Sequence, residues 1–487
     1  MHIKTLPRPA LTLLRFLAAG FIGSLLTAVA VYVYILDSRP DLSVWHTADL
    51  DEEFTAGSGL ADFAQYLALE ERLFAQLDEL VYARVPTGPS EATNRYSRGS
   101  LADPGRWPLN WNRSFELPHE EPQAGVLLLH GLSDSPYSMR VLGQTLHQQG
   151  AMVLGLRIPG HGTAPSGLVE TRWQDMAAAV QLAAQHVRDA VGDKPVFLVG
   201  YSNGGALAVE YTLSTLADNA LPEVAGVVLL SPEIGISGVA ALAVWQGRLG
   251  HLLGLEKLAW NDLLPEYDPY KYGSFAVNAG DIAYRLTGRI QRQLDALQGT
   301  GKLEELPPIL AFQSGVDATV SAAALVTNLF DRLPPVGHEL VLFDINRRTE
   351  VGPLLKEDPR TVFEPLLRND TRAFDLTVAT NENGESNRVI ARTARLGDEI
   401  AGTAYIGEWP RGVYSLSHVA LPFSPLDPVY GGPQAADSPG IALGDLAPRG
   451  ERGVLKISGT NALRLRWNPF FDYVSSRVVQ FTGLENP

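Results

Sequence analysis

The sequence contains no cysteine among its 487 residues. This absence excludes disulfide bonds, thiolate metal sites, a cysteine nucleophile and a lipidated N-terminal cysteine. Positive charge is also scarce, since 39 Lys and Arg residues stand against 54 Asp and Glu, a formal net charge of −15. Such a chain repels phosphate backbones, which excludes nucleic acid as a partner. Neither an H-E-x-x-H nor a G-x-x-x-x-G-K pattern occurs, so we expect no metal and no cofactor.

Charge is missing from one long stretch near the N-terminus. From Phe16 to Leu36 the chain is apolar, and roughly 21 residues with a rise of ~1.5 Å each would just cross a hydrocarbon core of ~30 Å. Lys4 and Arg8 precede this run and Asp37 follows it, a bias that favours a cytoplasmic N-terminus. We therefore expect residues 1–36 to be a single-pass membrane anchor, with the rest of the chain on the extracytoplasmic side.

A cleaved signal peptide is the alternative interpretation of this stretch. Ala28-Val29-Ala30 resembles a small-residue cleavage site. The run stays apolar beyond it through Leu36, which is longer than the usual apolar region of a signal peptide. An uncleaved anchor is thus favoured.

The next part of the chain, residues 37–94, is expected to hold a polar linker and one amphipathic helix. Apolar residues recur at helical spacing between Leu60 and Val81, with acidic residues among them. Either this helix packs on the main domain, which we favour, or it forms a juxtamembrane stalk or dimer helix.

Residues 95–487 are predicted to form one α/β domain. Short, continuously apolar runs alternate with longer helical stretches, the runs being 126–129, 152–156, 196–199, 227–230, 309–312 and 340–343. Such strands, alternating with helices, indicate a mostly parallel sheet covered by helices on both faces.

Two segments interrupt this alternation. Residues 233–300 are longer than a simple crossover needs and are rich in apolar residues, including Val244, Trp245, Leu249, Leu252, Leu253 and Trp260. We expect this segment to cover the top of the sheet, and we call it the cap segment. Residues 346–415 form a second insertion, in which the turn Asn383-Gly384 between two strand-like stretches predicts a hairpin.

A G-x-S-x-G motif, Gly200-Tyr201-Ser202-Asn203-Gly204, follows a buried strand and precedes a helix. A sharp strand-to-helix turn strains the serine and lifts its hydroxyl above the sheet, next to a helix N-terminus. This setting predicts that Ser202 is a nucleophile rather than part of an ordinary tight turn.

The loop His130-Gly131-Leu132 follows the first strong strand of the predicted sheet. A backbone N–H at Leu132, together with that of Asn203, could form an oxyanion hole. His130 lies in this loop and His161 in another one, and structural roles are expected for both.

These motifs together resemble the α/β-hydrolases of the monoglyceride lipase and carboxylesterase group, which are also grouped with serine aminopeptidases. The resemblance is carried by LLLHGLSDSPYSM, IPGHGTAPSG and VGYSNGG and extends over about residues 95–345 and 413–430. It implies the α/β-hydrolase fold and a nucleophile, acid and histidine in that order along the chain. The N-terminal run, the Leu60–Val81 helix and the insertion at 346–415 lie outside it.

The remaining two members of a catalytic triad can be sought in that order. Asp317 lies just beyond a predicted strand, where an open α/β sheet places groups that face a ligand; a helix N-cap is its other possible role, and Asp344 is the second choice of acid. His418 lies in a loop-like segment that resembles the family's histidine loop, although the insertion at 346–415 precedes it. The other candidate, His338, precedes its strand and so lies at the wrong end.

The sequence therefore predicts a membrane-anchored serine hydrolase that cleaves small or lipid-like acyl esters through an acyl-enzyme. Ser202 attacks, His418 is the base, Asp317 orients it, and the amides of Leu132 and Asn203 receive the oxyanion. Three alternatives remain open: a serine peptidase, an acyltransferase, or a catalytically silent, membrane-tethered interaction protein that keeps the fold.

Overall fold

The secondary structure is known from a computed structural model that describes residues 8–235, 256–348, 354–367, 372–395, 400–444, 446 and 459–484. Helices α1–α12 span, in chain order, Arg8–Asp37, Val44–Thr47, Phe63–Leu80, Arg140–Gln148, Gly167–Glu170, Trp173–Val191, Asn203–Thr215, Val277–Leu297, Ala322–Asn328, Arg360–Leu367, Gly459–Ala462 and Phe471–Thr482. Strands β1–β12 span Phe115–Leu117, Ala124–Leu129, Ala151–Leu156, Val196–Tyr201, Gly226–Leu230, Trp260–Asp262, Phe275–Ala276, Ile309–Ser314, Glu339–Phe343, Asp375–Asn381, Arg388–Ala394 and Ile400–Glu408.

Ten of these strands form one sheet in the order β1-β3-β2-β4-β5-β8-β9-β10-β11-β12. The neighbours from β3 to β10 pair in parallel, whereas β1, β11 and β12 are antiparallel to the strands beside them. Every residue of β2, β3, β4, β5 and β8 is buried. The predicted α/β fold with a mostly parallel sheet is confirmed.

Alternate residues of the central strands serve two separate cores. On β2, Leu127 and Leu129 join one apolar cluster and Val126 and Leu128 join the other, because successive side chains point to opposite faces of a sheet. Helices α6, α7 and α8 pack into the first core, and α4 and α12 pack into the second. A parallel sheet covered on both faces needs strands that are apolar throughout, which is what the sequence contains.

Part of the segment 346–415 extends this sheet. Strand β10 pairs in parallel with β9, and its partner β11 returns antiparallel across the turn that contains Asn383 and Gly384. Strand β12 then adds the outer edge.

Helix α3 lies against the main domain. Its buried face includes Phe63, Tyr66 and Leu73, and the Tyr66 hydroxyl donates to the carbonyl of Arg157 at 2.6 Å. Glu70 of the same helix pairs with the buried Arg157 guanidinium at 3.0 Å. A buried pair of this kind fixes the position of the helix on the domain.

The cap segment is described only in part. Val244, Trp245, Leu249, Leu252 and Leu253, the residues on which its apolar character was judged, lie outside the described residues. The described part holds β6, β7 and α8, and Trp260 in it is buried.

The predicted membrane anchor at residues 1–36 is wrong. The chain forms helix α1 there, but no helix in the described parts of the chain is long and apolar enough to cross a membrane. The transmembrane part of the predicted fold and the single-pass placement derived from it are therefore withdrawn.

Candidate active site

Ser202 occupies a strained turn between β4 and α7. Its backbone has φ 53° and ψ −116°, a left-handed conformation that non-glycine residues rarely adopt. Only glycine fits two residues before and two residues after Ser202. A Cβ on Gly200 would lie 2.4 Å from the Gly204 carbonyl oxygen, and a Cβ on Gly204 would lie 2.2 Å from the Leu129 carbonyl oxygen. The turn is held to the next strand, since the Ser202 amide donates to the Leu230 carbonyl at 2.9 Å.

His418 lies beside this serine, on a 3₁₀ turn at His418–Ala420. Its Nε2 is 3.1 Å from Ser202 Oγ, a hydrogen-bonding distance. The loop is fixed to the end of β8, because Ser314 Oγ donates to the Leu416 carbonyl at 2.7 Å. The detour through residues 346–415 thus returns the histidine to the carboxyl edge of the sheet.

Asp317 completes the contact from the other side of the imidazole. Its Oδ2 is 2.8 Å from His418 Nδ1, and its side chain is fully buried. Its Oδ1 accepts from the amides of Thr319 at 2.7 Å and Val320 at 3.0 Å. Burial raises the pKa of Asp317, but the hydrogen bonds and the charge of His418 outweigh it and hold the pKa below its ordinary value.

The second-choice triad members have other partners. His338 Nδ1 accepts from the Ile309 amide at 3.1 Å, at the opposite end of the sheet. Asp344 Oδ2 accepts from Arg347 Nε at 2.7 Å. The structure therefore brings Ser202, His418 and Asp317 together and leaves His338 and Asp344 apart from them.

His130 and His161 are buried and lie against each other, with ring centroids 5.0 Å apart. His130 Nε2 accepts from the Ile158 amide at 3.1 Å and its Nδ1 bonds to the Gly131 carbonyl at 2.9 Å. Burial lowers the pKa of both imidazoles, that of His161 to about 4. Both rings are therefore neutral at pH 7 and brace the loops that carry them.

The loop after β2 packs against the start of α7. A Cβ on Gly204 would lie 2.2 Å from the Leu129 carbonyl oxygen, and one on Gly131 would lie 2.9 Å from the Tyr201 ring. In the described part of the chain, the amides of Leu132 and Asn203 donate to no other protein group. An oxyanion hole needs free amides of this kind, and the role of these two amides in it stays a prediction.

A pocket of about 150 Å³ opens beside the triad, with Tyr201 and Val419 in its wall. Three cationic side chains also line it, namely Lys271 of the cap segment and the arginines at 464 and 466. We made no sequence prediction for these residues. The only sequence signal is a pair of arginines separated by one leucine, Arg464-Leu465-Arg466, which has no meaning without the fold.

Replacing Asp317 with asparagine is expected to lower kcat by about 10⁴-fold. The amide cannot stabilise a charged His418 imidazole, whereas the carboxylate can, since its pKa lies below the ordinary value. Ester turnover by Asp317→Asn and by Asp344→Asn measures this. Similar losses in the two variants would contradict the assignment of the acid.

Comparison with known proteins gives the class of protein that this fold and site define. Residues 120–345 match a family described as "Serine aminopeptidase, S33". This stretch is similar to the α/β-hydrolase superfamily, and over part of its length the chain is similar to lipases and esterases.

Individual relatives are similar over part of their length. A thermostable monoacylglycerol lipase from a Bacillus species is 30% identical over 134 residues, 28% of this chain and 50% of the lipase. A putative 2-succinyl-6-hydroxy-2,4-cyclohexadiene-1-carboxylate synthase from Haemophilus influenzae is 32% identical over 111 residues, 23% of this chain and 42% of the synthase. The chain thus spans half or less of the length of these two curated relatives.

A solved monoacylglycerol lipase from Paleococcus ferrophilus superposes with a TM-score of 0.36 and 19% identity, over 47% of this chain and 87% of the lipase.

Proposed function

We propose that this protein is a serine hydrolase that cleaves carboxylic esters through an acyl-enzyme on Ser202. One observation carries the proposal, namely the continuous hydrogen-bond chain from Ser202 Oγ through the His418 ring to Asp317 Oδ2, with distances of 3.1 and 2.8 Å. The three residues come from three separate segments of the chain. These two hydrogen bonds also argue against the alternative of a catalytically silent protein.

The proton movements follow from these contacts. Asp317 accepts from His418 Nδ1–H, which leaves Nε2 unprotonated and able to take the Ser202 proton as Oγ attacks the ester carbonyl. The protonated imidazole then gives this proton to the departing alcohol. A water molecule, deprotonated by Nε2, attacks the acyl-enzyme, and the imidazolium returns the proton to Ser202 Oγ as the carboxylic acid leaves.

The oxyanion of both tetrahedral intermediates is assigned to the amides of Leu132 and Asn203. Asn203 is the first residue of α7, so the partial positive charge of that helix end adds to the stabilisation. Since these amides are fixed by the packing of the loop after β2, they need no rearrangement as charge develops.

Substrates are proposed to be small or lipid-like acyl esters. The matched monoacylglycerol lipase supports the lipid-like choice. The cap segment contributes to the substrate side of the site, because the Tyr272 amide donates to the Ser133 carbonyl at 2.9 Å and Lys271 pairs with Asp134 at 2.8 Å.

A fluorophosphonate probe tests the nucleophile. We expect one stoichiometric adduct on the wild type and none on Ser202→Ala, measured by intact-mass spectrometry. Ser231→Ala is the matched control, because Ser231 is also a buried serine with positive φ (42°) at the end of a strand. Loss of labelling in Ser231→Ala with full labelling of Ser202→Ala would refute the proposal.

A peptidase is the second candidate, favoured by the serine aminopeptidase family that residues 120–345 match. The discriminating measurement is kcat/KM for a neutral short-chain ester against that for an aminoacyl anilide of similar size. The ester proposal predicts that kcat/KM for the ester exceeds kcat/KM for the anilide by more than the difference in the intrinsic reactivity of the two substrates. Preferential cleavage of the anilide would make the protein a peptidase with the same triad.

A further inference from the structure

The chain segment with Arg464, Leu465 and Arg466 lies against two catalytic loops. Ser417 Oγ, next to His418, donates to the Leu465 carbonyl. Arg464 Nη2 donates to Thr319 Oγ1 at 3.1 Å, in the loop that carries Asp317. This segment, like His418 itself, lies beyond residues 120–345 that match the family.

Neither arginine has its charge fully compensated. In the described ranges Arg464 forms no ion pair with a carboxylate, and it donates a hydrogen bond to the neutral Thr319 hydroxyl. Arg466 Nη1 lies 3.8 Å from Asp268 Oδ2, and its Nη2 donates to the Tyr267 hydroxyl at 3.3 Å. Its Nε is buried and, within the described structure, has no acceptor.

Asp268, the ion-pair partner of Arg466, is also held by other groups. Its Oδ1 accepts from the amides of Tyr270 at 3.0 Å and Lys271 at 3.1 Å and from the Tyr430 hydroxyl. The third cation of the pocket, Lys271, is already paired with Asp134 at 2.8 Å. The carboxylates of the pocket wall are therefore committed to structure, and the two arginines are left with unused donors.

The charge of the pocket differs in sign from that of the whole chain. Three cations and two carboxylates line it, although the protein has a formal net charge of −15. An uncompensated guanidinium in a partly closed pocket is costly unless an anion joins it. Arginine is the side chain best suited to carboxylates, because its planar fork donates two parallel hydrogen bonds.

We propose that this pocket binds a carboxylate on the ester substrate, with Arg464 and Arg466 as its ligands. The inference rests on the hydrolase function proposed above and specifies its substrate class. The pocket volume of about 150 Å³ lies below the ~300–1,000 Å³ of typical ligand sites. The pocket therefore suits a small end of the substrate. Since Tyr201 and Val419 of its wall are the chain neighbours of Ser202 and His418, we place the carboxylate a few carbons from the scissile ester, on its acyl or its alcohol side.

Two pairs of esters test the charge at constant shape. On the acyl side, monomethyl glutarate is compared with methyl 5-methylhexanoate, whose branched end has the shape of a carboxylate without its charge. On the alcohol side, 3-acetoxypropionate is compared with 3-methylbutyl acetate. We expect kcat/KM for the carboxylate to exceed that for the neutral partner at least about tenfold in one pair, the effect of one charge-assisted hydrogen bond.

Variants show whether the two arginines cause this preference. Arg464→Gln and Arg466→Gln should each reduce the ratio of carboxylate to neutral turnover by about tenfold. The ratio is the readout because Arg464 also contacts the acid loop, and any general damage to the triad cancels in it. Arg292→Gln, an exposed arginine on α8, removes the same charge outside the pocket wall and should keep the ratio.

The outcomes separate this inference from the proposed function. Equal turnover within both pairs, faster turnover of the neutral esters, or a preference that survives both arginine substitutions would overturn the pocket assignment while leaving an ester hydrolase. If no ester is turned over, the hydrolase proposal fails, and calorimetry with glutarate then decides on the pocket. Glutarate binding that is weakened in Arg464→Gln and kept in Arg292→Gln would support it, whereas no binding to the wild type would overturn it.

Discussion

Replacement of Ser202 by alanine is expected to reduce kcat for esters by on the order of 10⁵- to 10⁶-fold. Without Oγ no acyl-enzyme forms, and only direct attack by water at the remaining site is left. Residual turnover above the uncatalysed rate is still expected, because the amides of Leu132 and Asn203 remain in place to receive the oxyanion. Steady-state kinetics over a range of ester concentrations measures kcat and KM separately.

The double variant Ser202→Ala/His418→Ala provides the control for this result. Residues that act as one unit give losses that are far from additive, so the second substitution should cost little more than the first. Far-ultraviolet circular dichroism and thermal unfolding show whether each variant keeps the fold. A multiplicative loss in the double variant would contradict a single hydrogen-bonded unit.

Replacement of His418 by alanine is the second large effect, with an expected loss in kcat similar to that of Ser202→Ala. The Ser202 hydroxyl is a weak nucleophile unless a base removes its proton, and His418 Nε2, at 3.1 Å, is the base in contact with it. Reaction with a fluorophosphonate should slow in parallel, since it needs the same activated oxygen.

His338→Ala is the matched control for the histidine. His338 is also buried, but its Nδ1 accepts from the Ile309 amide at the far end of the sheet. We expect a lower unfolding temperature, because that amide loses its acceptor, together with kcat within about tenfold of the wild type. A collapse of kcat in His338→Ala with normal turnover in His418→Ala would reverse the assignment.

The central sheet was predictable because its strands are buried on both faces. Runs such as Val196–Val199 are apolar at every position. When helices lie between such runs, the pattern is typical of a parallel sheet covered on both faces. The elbow at Ser202 was recognisable for the same local reason, since the motif, the strand before it and the helix after it are neighbours in sequence.

Long-range pairing was harder to predict. The hairpin around Asn383-Gly384 could be read from its turn residues, but its parallel register on β9, and the third strand β12, depend on partners far along the chain. The meeting of His418 with Asp317 spans 101 residues. Here the resemblance to a family supplied the order of the residues, and only the fold supplies the distance.

The anchor was predicted wrongly and the pocket was not predicted, for different physical reasons. The apolar run after Phe16 indicated an anchor from its residue types alone. A membrane crossing needs a helix that is both long enough and apolar enough, and none of the described helices meets that condition. Arg464 and Arg466 carry no local signal, because an arginine is functional only through the groups that it faces. Their proposed role rests on the position of their segment, which contacts Ser417 through the Leu465 carbonyl and Thr319 through Arg464, and no sequence period encodes these contacts.

The most direct test of the account is to trap the acyl-enzyme itself. Wild-type protein turning over a slowly deacylating ester is quenched in acid, digested and mapped by mass spectrometry. The account predicts that one acyl group is attached to the peptide containing Ser202, and that it is absent from Ser202→Ala treated in the same way. Turnover without any acyl group on Ser202, or with the acyl group on another residue, would contradict it.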